Sequence, residues 1–218
     1  SWTFTNDELS ALNRVSFDSI AELFKHGISI DAHPAGTQLF LFLWTKLFGV
    51  TEIAVRLPFV LLSLLSTYAI YKVAKEWVHT NAGIIAATLF AGLGYTATYS
   101  LLARPYAFGT LAIVLVLFFW TKLIKKQLRI PFLSYLGLSV SLALCAYTHY
   151  FAAITAAFVF LLGFLLIHKT QFKAYMFTGL FALLLFLPHF WIFLHQYSHG
   201  SGGTAWLGLP ESDAILKL

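Results

Sequence analysis

Charged residues are scarce in this sequence, and their scarcity excludes a soluble globular domain. Asp, Glu, Lys and Arg together make up 11% of the 218 residues, against about 25% in a typical soluble domain. Hydrophobic residues reach 59%, so 14 Lys and Arg with 9 Asp and Glu cannot cover the surface. The same composition excludes a disordered or collagen-like chain. We therefore predict an all-α polytopic membrane protein.

Cysteine is nearly absent as well, which excludes two further classes. Cys145 is the single cysteine, so the chain has neither an intramolecular disulfide nor a cysteine-based zinc site. The net charge of +5 could suggest nucleic acid, but the basic residues stand in short clusters between apolar runs, as in cytoplasmic loops. Because the sequence opens on Ser1 without Met, we expect an internal fragment or a trimmed piece of a longer protein.

Long runs without charged residues predict six membrane-spanning helices, since a crossing needs about 20 apolar residues. The run over 130–168 holds 39 residues, too many for one crossing at about 1.5 Å per residue. The polar sequence Tyr147-Thr148-His149-Tyr150 divides it. The predicted spans are approximately 53–75, 81–101, 105–123, 131–146, 150–167 and 174–196, followed by a loop over 197–218.

The distribution of Lys and Arg predicts the orientation of these spans. With alternating crossings, one set of loops receives eight Lys and Arg and a single acid, Glu76. By the positive-inside rule that side is cytoplasmic. Residues 1–52, 103–106, 147–150 and 197–218 then share the extracytoplasmic side, where we expect the functional site.

Residues 1–52 are predicted to form an extracytoplasmic loop with juxtamembrane helices. Asp7 to about Lys25 is polar with one apolar stripe, which is typical of a helix at a membrane surface. Ala35 to Phe48 is apolar but only about 21 Å long as a helix, too short to cross. Pro34 and Gly49 mark its two ends.

Polar residues on the predicted extracytoplasmic side are the candidates for chemistry, each with a structural alternative. Asp7-Glu8 could supply a general base or only start a helix. Asp31 and His33 could hold a phosphate, sugar or metal, or form a plain turn. Arg104 could bind a lipid phosphate or only extend toward the interface.

Three further groups are weaker candidates. The cluster Tyr147–Tyr150 is costly at membrane depth and so suggests function, with a helix–helix turn as the alternative. His189 favours helix–helix hydrogen bonding over catalysis. The residues His195, His199 and Trp206 either close over a site or belong to a solvated loop.

Six short motifs appear in the order and spacing of one known family. They are Phe4-Thr5-Asn6-Asp7-Glu8-Leu9, Asp31-Ala32-His33-Pro34, Leu47-Phe48-Gly49, Arg56-Leu57-Pro58, Ala103-Arg104-Pro105-Tyr106 and Tyr147-Thr148-His149-Tyr150. On these motifs the chain resembles the GT-C membrane glycosyltransferases of the protein-mannosyltransferase-like group. Relatives in that group include protein O-mannosyltransferases and the aminoarabinose transferase of lipid A. The resemblance implies a GT-C-type helical bundle and an N-terminal-half fragment, because the motifs cover the N-terminal half of a typical member.

The resemblance also implies an inverting transfer of a sugar from a polyprenyl-phosphate carrier to an extracytoplasmic lipid, glycan or protein. The expected location is the cell membrane, which in a bacterium is the inner membrane. By motif position, Asp7 corresponds to the general base and Arg104, with Tyr106, to the residues that meet the carrier phosphate. Glu8, Asp31 and His33 are expected in support, and Tyr147, His149 and Tyr150 along the acceptor or donor site. A divalent metal, if used, would involve Asp7, Asp31 and His33.

Two departures from the family pattern keep other functions open. Leu102 stands where many members carry an acid, and Ala35 follows Pro34 where Pro-Pro is usual. The alternatives are a transporter or flippase, whose broken helices also carry polar groups, and a noncatalytic assembly subunit. Against a transporter, acids are absent from the predicted span interiors.

Overall fold

The structure is a computed structural model that describes residues 3–125 and 131–198, and every regular element in these ranges is a helix. The described α-helices are α1 (Asn6–Asn13), α2 (Ile20–Glu22), α3 (Ala35–Phe48), α4 (Glu52–Trp77), α5 (Thr80–Gly92), α6 (Gly94–Leu101), α7 (Pro105–Ile124), α8 (Pro131–Thr148), α9 (Tyr150–Leu166) and α10 (Phe172–Ser198). Helix α2 continues as a π-helical segment, Leu23–Ile28, and a 3₁₀ turn, Lys169–Gln171, precedes α10.

Four of the described helices are long and apolar enough to cross a membrane: α4, α7, α8 and α10 with its preceding 3₁₀ turn. Helices α5 and α6 are bent by 63° against each other and together make up to a fifth crossing. Helix α9 is apolar with 17 residues, about 26 Å at 1.5 Å per residue. The chain is therefore an all-helical, multi-pass membrane protein, and the division into six crossings stays a prediction.

The surface segment before α3 differs from the expected single helix over Asp7 to Lys25. Helix α1 ends at Asn13, and α2 begins only after Ser19. Each start has its own capping box, in which Thr5 pairs with Glu8 and Ser19 with Glu22. A side chain that accepts the first free backbone N–H groups favours a new helix start at that position, so the segment forms two short helices.

Helix α3 has the predicted bounds. It begins directly after Pro34, whose extended backbone cannot continue a helix in the N-terminal direction. It ends at Gly49, which has φ +78°, a conformation that is costly for a residue with a Cβ atom. The predicted helix over 35–48 is confirmed, and its juxtamembrane position stays a prediction.

The ends of the long helices collect at two opposite ends of the bundle. At one end the Trp77 indole donates to Thr121 Oγ1 at 2.7 Å, and Lys125 Nζ donates to the Glu76 carbonyl at 2.7 Å. Asp31, which precedes α3, lies at the other end. Two apolar clusters fill the interior, one where α1 to α4 meet the start of α7 and one among α7 to α10. The polar candidates therefore share an end with α1 to α3.

Candidate active site

Asp31 is the centre of a hydrogen-bonded turn just before α3. Its side chain is buried, and Oδ1 accepts from Arg14 Nη1 and from the Ala32 N–H, both at 2.7 Å. The Gln38 amide donates to Oδ2, and His33 Nδ1 lies 3.2 Å from Oδ1. Burial raises the pKa of the Asp31 carboxyl, but the His33 hydrogen bond and the charges of His33 and Arg14 outweigh it and lower the pKa. Asp31 is thus an ionised anchor for His33.

His33 faces a histidine from the break between α8 and α9. The ring centroids of His33 and His149 are 5.8 Å apart in an edge-on arrangement, and Tyr106 lies 6.2 Å from His149. His149 caps α9 by accepting the Phe151 N–H at 3.2 Å. Burial, helped by the positive charges of His33 and Arg104, lowers the pKa of His149. The His149 ring is therefore neutral at pH 7.

Arg104 brings an uncommitted positive charge to this cluster. It precedes α7 and lines a cavity of about 20 Å³ together with Arg14, Asp31 and His33. Its Nε is buried without a hydrogen-bond partner, and no described residue pairs with its guanidinium. An Arg fork with unused donors at a helix N-terminus is suited to bind a phosphate or carboxylate.

Glu8 and Asp7 are neighbours on α1 with opposite environments. Glu8 is fully buried, and its carboxylate accepts from Arg56 Nη2 at 2.6 Å, Arg56 Nε at 2.8 Å and the Ala103 N–H at 3.3 Å. Burial raises the pKa of Glu8, but these bonds and that of Thr5 outweigh it and lower the pKa. Glu8 therefore fastens α1 to α4 and to the residue before Arg104.

Asp7 is exposed, and its carboxylate has no partner among the described residues. It does not line the cavity that contains Asp31 and Arg104. Of the three acids at this corner, Asp7 alone keeps its oxygen lone pairs available. The structure thus brings Asp31, His33, Arg104, Tyr106 and His149 together and leaves Asp7 at the edge.

The two tyrosines of the broken run are engaged with α10. Tyr147 donates its hydroxyl to the Leu185 carbonyl at 3.0 Å, and Tyr150 donates to Gln196 Oε1 at 2.6 Å. The Gln196 amide in turn donates to the carbonyls of Ile28 at 2.8 Å and His33 at 3.1 Å. Tyr150 is therefore linked through Gln196 to the turn before α3, whereas the Tyr147 hydroxyl is bonded to the backbone of α10.

The comparison with known protein families fits this arrangement of helix-end polar groups. The model of the dolichyl-phosphate-mannose-protein mannosyltransferase family matches residues 32–192 of this chain. The chain belongs to this family. Neither the curated proteins nor the solved structures gave a match. Members of the mannosyltransferase family are membrane glycosyltransferases that use polyprenyl-phosphate-linked sugars, and the matched region includes His33, Arg104, Tyr106 and His149 but not Asp7.

Three residues of the candidate site were missed by sequence reasoning: Arg14, Gln38 and Gln196. Arg14 and Gln38 stand in ordinary surface or apolar contexts, and only the fold places them on Asp31. Gln196 carried a signal, because a buried amide near the end of an apolar helix is costly unless it has partners. The expected packing role of His189 is confirmed, since its Nε2 accepts the Ala35 N–H at 2.9 Å.

The remaining candidates of the sequence are placed as follows. The described residues contain no group of three His, Cys, Asp or Glu side chains that could hold a metal ion, so Asp7, Asp31 and His33 do not form one there. His195 lies within α10. His199, Trp206 and most of the loop over 197–218 lie outside the described residues.

Proposed function

We propose that this protein transfers a sugar, with inversion, from a polyprenyl-phosphate carrier to an extracytoplasmic acceptor. The observation that carries the proposal is Arg104, a half-buried guanidinium without a described partner that lines one cavity with Asp31 and His33. Membership of the mannosyltransferase family supports the same reaction class.

Arg104 would bind the carrier phosphate and stabilise it as the leaving group. The bond between the anomeric carbon and the phosphate oxygen breaks as the acceptor oxygen attacks from the opposite face. The electron pair of that bond leaves with the lipid phosphate, and a fixed positive charge stabilises the developing anion. Arg104 stands at the N-terminus of the 20-residue helix α7, whose dipole also favours an anion there.

Asp7 would accept the proton of the attacking hydroxyl. Asp31 and Glu8 are each engaged by an arginine, which leaves them few lone pairs for a proton. Asp7 has no described partner and is carried by a helix that Glu8 ties to Ala103, next to Arg104. A general base contributes typically about 10²–10⁴-fold. We therefore expect Asp7→Asn to lower turnover at least ~100-fold with donor binding retained.

The test is a transfer assay with the protein in proteoliposomes and a panel of radiolabelled polyprenyl-phosphate sugars, dolichyl-phosphate-mannose first. Wild-type protein should transfer or hydrolyse at least one donor. Asp18→Asn is the matched control, because Asp18 is another exposed acid of the same surface segment and should keep full activity.

The outcomes separate the alternatives. Movement of an intact donor across the bilayer without cleavage would indicate a flippase, and folded protein inert toward every donor would indicate an assembly subunit. Near-normal transfer by Asp7→Asn would exclude Asp7 as the base while leaving the transferase reading in place.

A further inference from the structure

A groove of about 660 Å³ runs from the site into the bundle between α4, α5, α6, α7 and α9. Eight of its sixteen lining residues carry a hydroxyl group. For six of them the side-chain hydroxyl has no hydrogen-bond partner among the described residues: Ser63, Tyr95, Thr96, Tyr99, Tyr106 and Thr110. Each of these hydroxyls can donate one hydrogen bond and accept others, so the groove is suited to a ligand that supplies hydrogen-bonding groups.

Tyrosine rings form one wall of this groove. Tyr95 and Tyr99 have centroids 4.3 Å apart, Tyr99 and Tyr106 are 4.6 Å apart, and Tyr106 is 6.2 Å from His149. The 63° bend between α5 and α6 sets the first two rings beside the start of α7. The aromatic wall therefore begins at the residues that surround Arg104.

A second groove of about 670 Å³ has a different lining. It lies between α8, α9 and α10, and among its eighteen lining residues only Tyr150 carries a polar side chain. A hydrocarbon chain would pack against the apolar side chains that line this second groove. In the hydroxyl-lined groove the same chain would leave six hydroxyls without partners, so the contrast argues against a lipid tail as its occupant.

A sugar ring matches the hydroxyl-lined groove in both respects. Its C–H faces pack on aromatic rings, and its hydroxyls donate to and accept from Tyr, Ser and Thr. Clefts of several hundred Å³ with aromatic walls and a few placed polar groups are typical of small-molecule sites. We propose that this groove binds the sugar of the donor, with Tyr99 and Tyr106 as sugar-contacting residues. The proposal rests on the proposed function and deepens it.

The experiment compares two probes that differ only in the sugar. Binding to the protein in nanodiscs is measured for dolichyl-phosphate-mannose, or whichever donor of the panel the wild type accepts, and for the same polyprenyl phosphate without its sugar. Because two hydroxyl hydrogen bonds are lost, the double variant Tyr99→Phe with Tyr106→Phe should bind the sugar-bearing donor about 10-fold more weakly. Its affinity for the bare phosphate should stay within about twofold.

The matched control is Tyr68→Phe, because Tyr68 lies on α4, is exposed and does not line the groove. It should leave both affinities unchanged. Unchanged donor affinity in the double variant, with wild-type melting behaviour, would overturn the sugar site. Equal losses for both probes would also overturn it and assign the tyrosines to the phosphate. A wild type that binds neither probe would instead refute the proposed function.

Discussion

Arg104 and Arg56 show how two arginines at the same end of the bundle are used differently. Arg56 is largely buried and is neutralised by Glu8 through two short hydrogen bonds. Glu8 bonds to the backbone N–H of Ala103, the residue before Arg104, but not to the Arg104 guanidinium. No described group neutralises the charge of Arg104. A charge that the fold leaves unpaired beside a cavity has free donors for a ligand.

We predict at this scale that Arg104→Ala weakens binding of the carrier strongly and that Arg104→Lys recovers only part of it. Lysine keeps the charge but lacks the planar fork that bonds two phosphate oxygens at once. Equilibrium binding of radiolabelled polyprenyl phosphate would measure this. Arg56→Lys should instead lower thermal stability. Unchanged carrier affinity in Arg104→Ala would show that Arg104 does not bind the carrier phosphate.

At the scale of elements, α10 holds the turn before α3 through two side chains that lie seven residues apart. His189 accepts the first N–H of α3, which Pro34 cannot cap because it has no acceptor side chain. Gln196, two helical turns later, donates to carbonyls on both sides of Asp31. The turn before α3 is therefore held in place by α10.

Gln196→Leu should loosen this turn without unfolding the bundle. It leaves the His33 carbonyl and the Tyr150 hydroxyl without their partner, at about 1–3 kcal/mol for an unsatisfied buried group, while the Ile28 carbonyl keeps its bond from the Asp31 N–H. We expect faster hydrogen exchange over residues 28–35 and a larger fall in kcat than in carrier affinity. Hydrogen exchange with mass spectrometry and steady-state kinetics would measure both effects.

The chain offers a matched control for that variant. Gln171 also donates its amide to a tyrosine, Tyr135, at 3.3 Å, but before α10 rather than near its end. Gln171→Leu should leave exchange over residues 28–35 unchanged. Equal exchange in wild type and Gln196→Leu would mean that the turn does not depend on α10.

For the whole molecule, the basic loops predict which end of the bundle faces outward. Ser10→Cys and Ser29→Cys should react with an impermeant maleimide from outside the cell, and Thr170→Cys only after permeabilisation. Cys145 is fully buried and should stay silent, so it needs no replacement. Labelling of Ser29→Cys and Thr170→Cys from the same side would refute the alternating orientation.

The long helices and α3 could be predicted from the sequence because their signals are local. Uncharged runs give the helix lengths, and Pro34 and Gly49 give the bounds of α3. The break between α1 and α2 also has a local signal, the two capping boxes. The continuous apolar stripe nevertheless favours a single helix over this segment. The stripe reports which face is apolar, not whether the backbone is continuous.

The support of the site could not be predicted because it depends on long-range pairs. Gln196 meets a carbonyl 168 positions earlier in the chain, and Glu8 meets Arg56 at a separation of 48. Motifs identify His33 and Arg104, whose residue types are unusual where they stand. No local pattern marks Gln38 or Arg14 as partners of Asp31.

The buried Glu8–Arg56 pair sets a rule for building chimeras between members of this family. A graft from a parent without this pair that exchanges α1 but keeps α4, or the reverse, leaves Arg56 or Glu8 without its partner. Leaving one buried charge without its partner costs about 3–5 kcal/mol, a large part of the stability of most proteins. The crossover point of a working hybrid should therefore not lie between Glu8 and Arg56, so that both residues come from one parent.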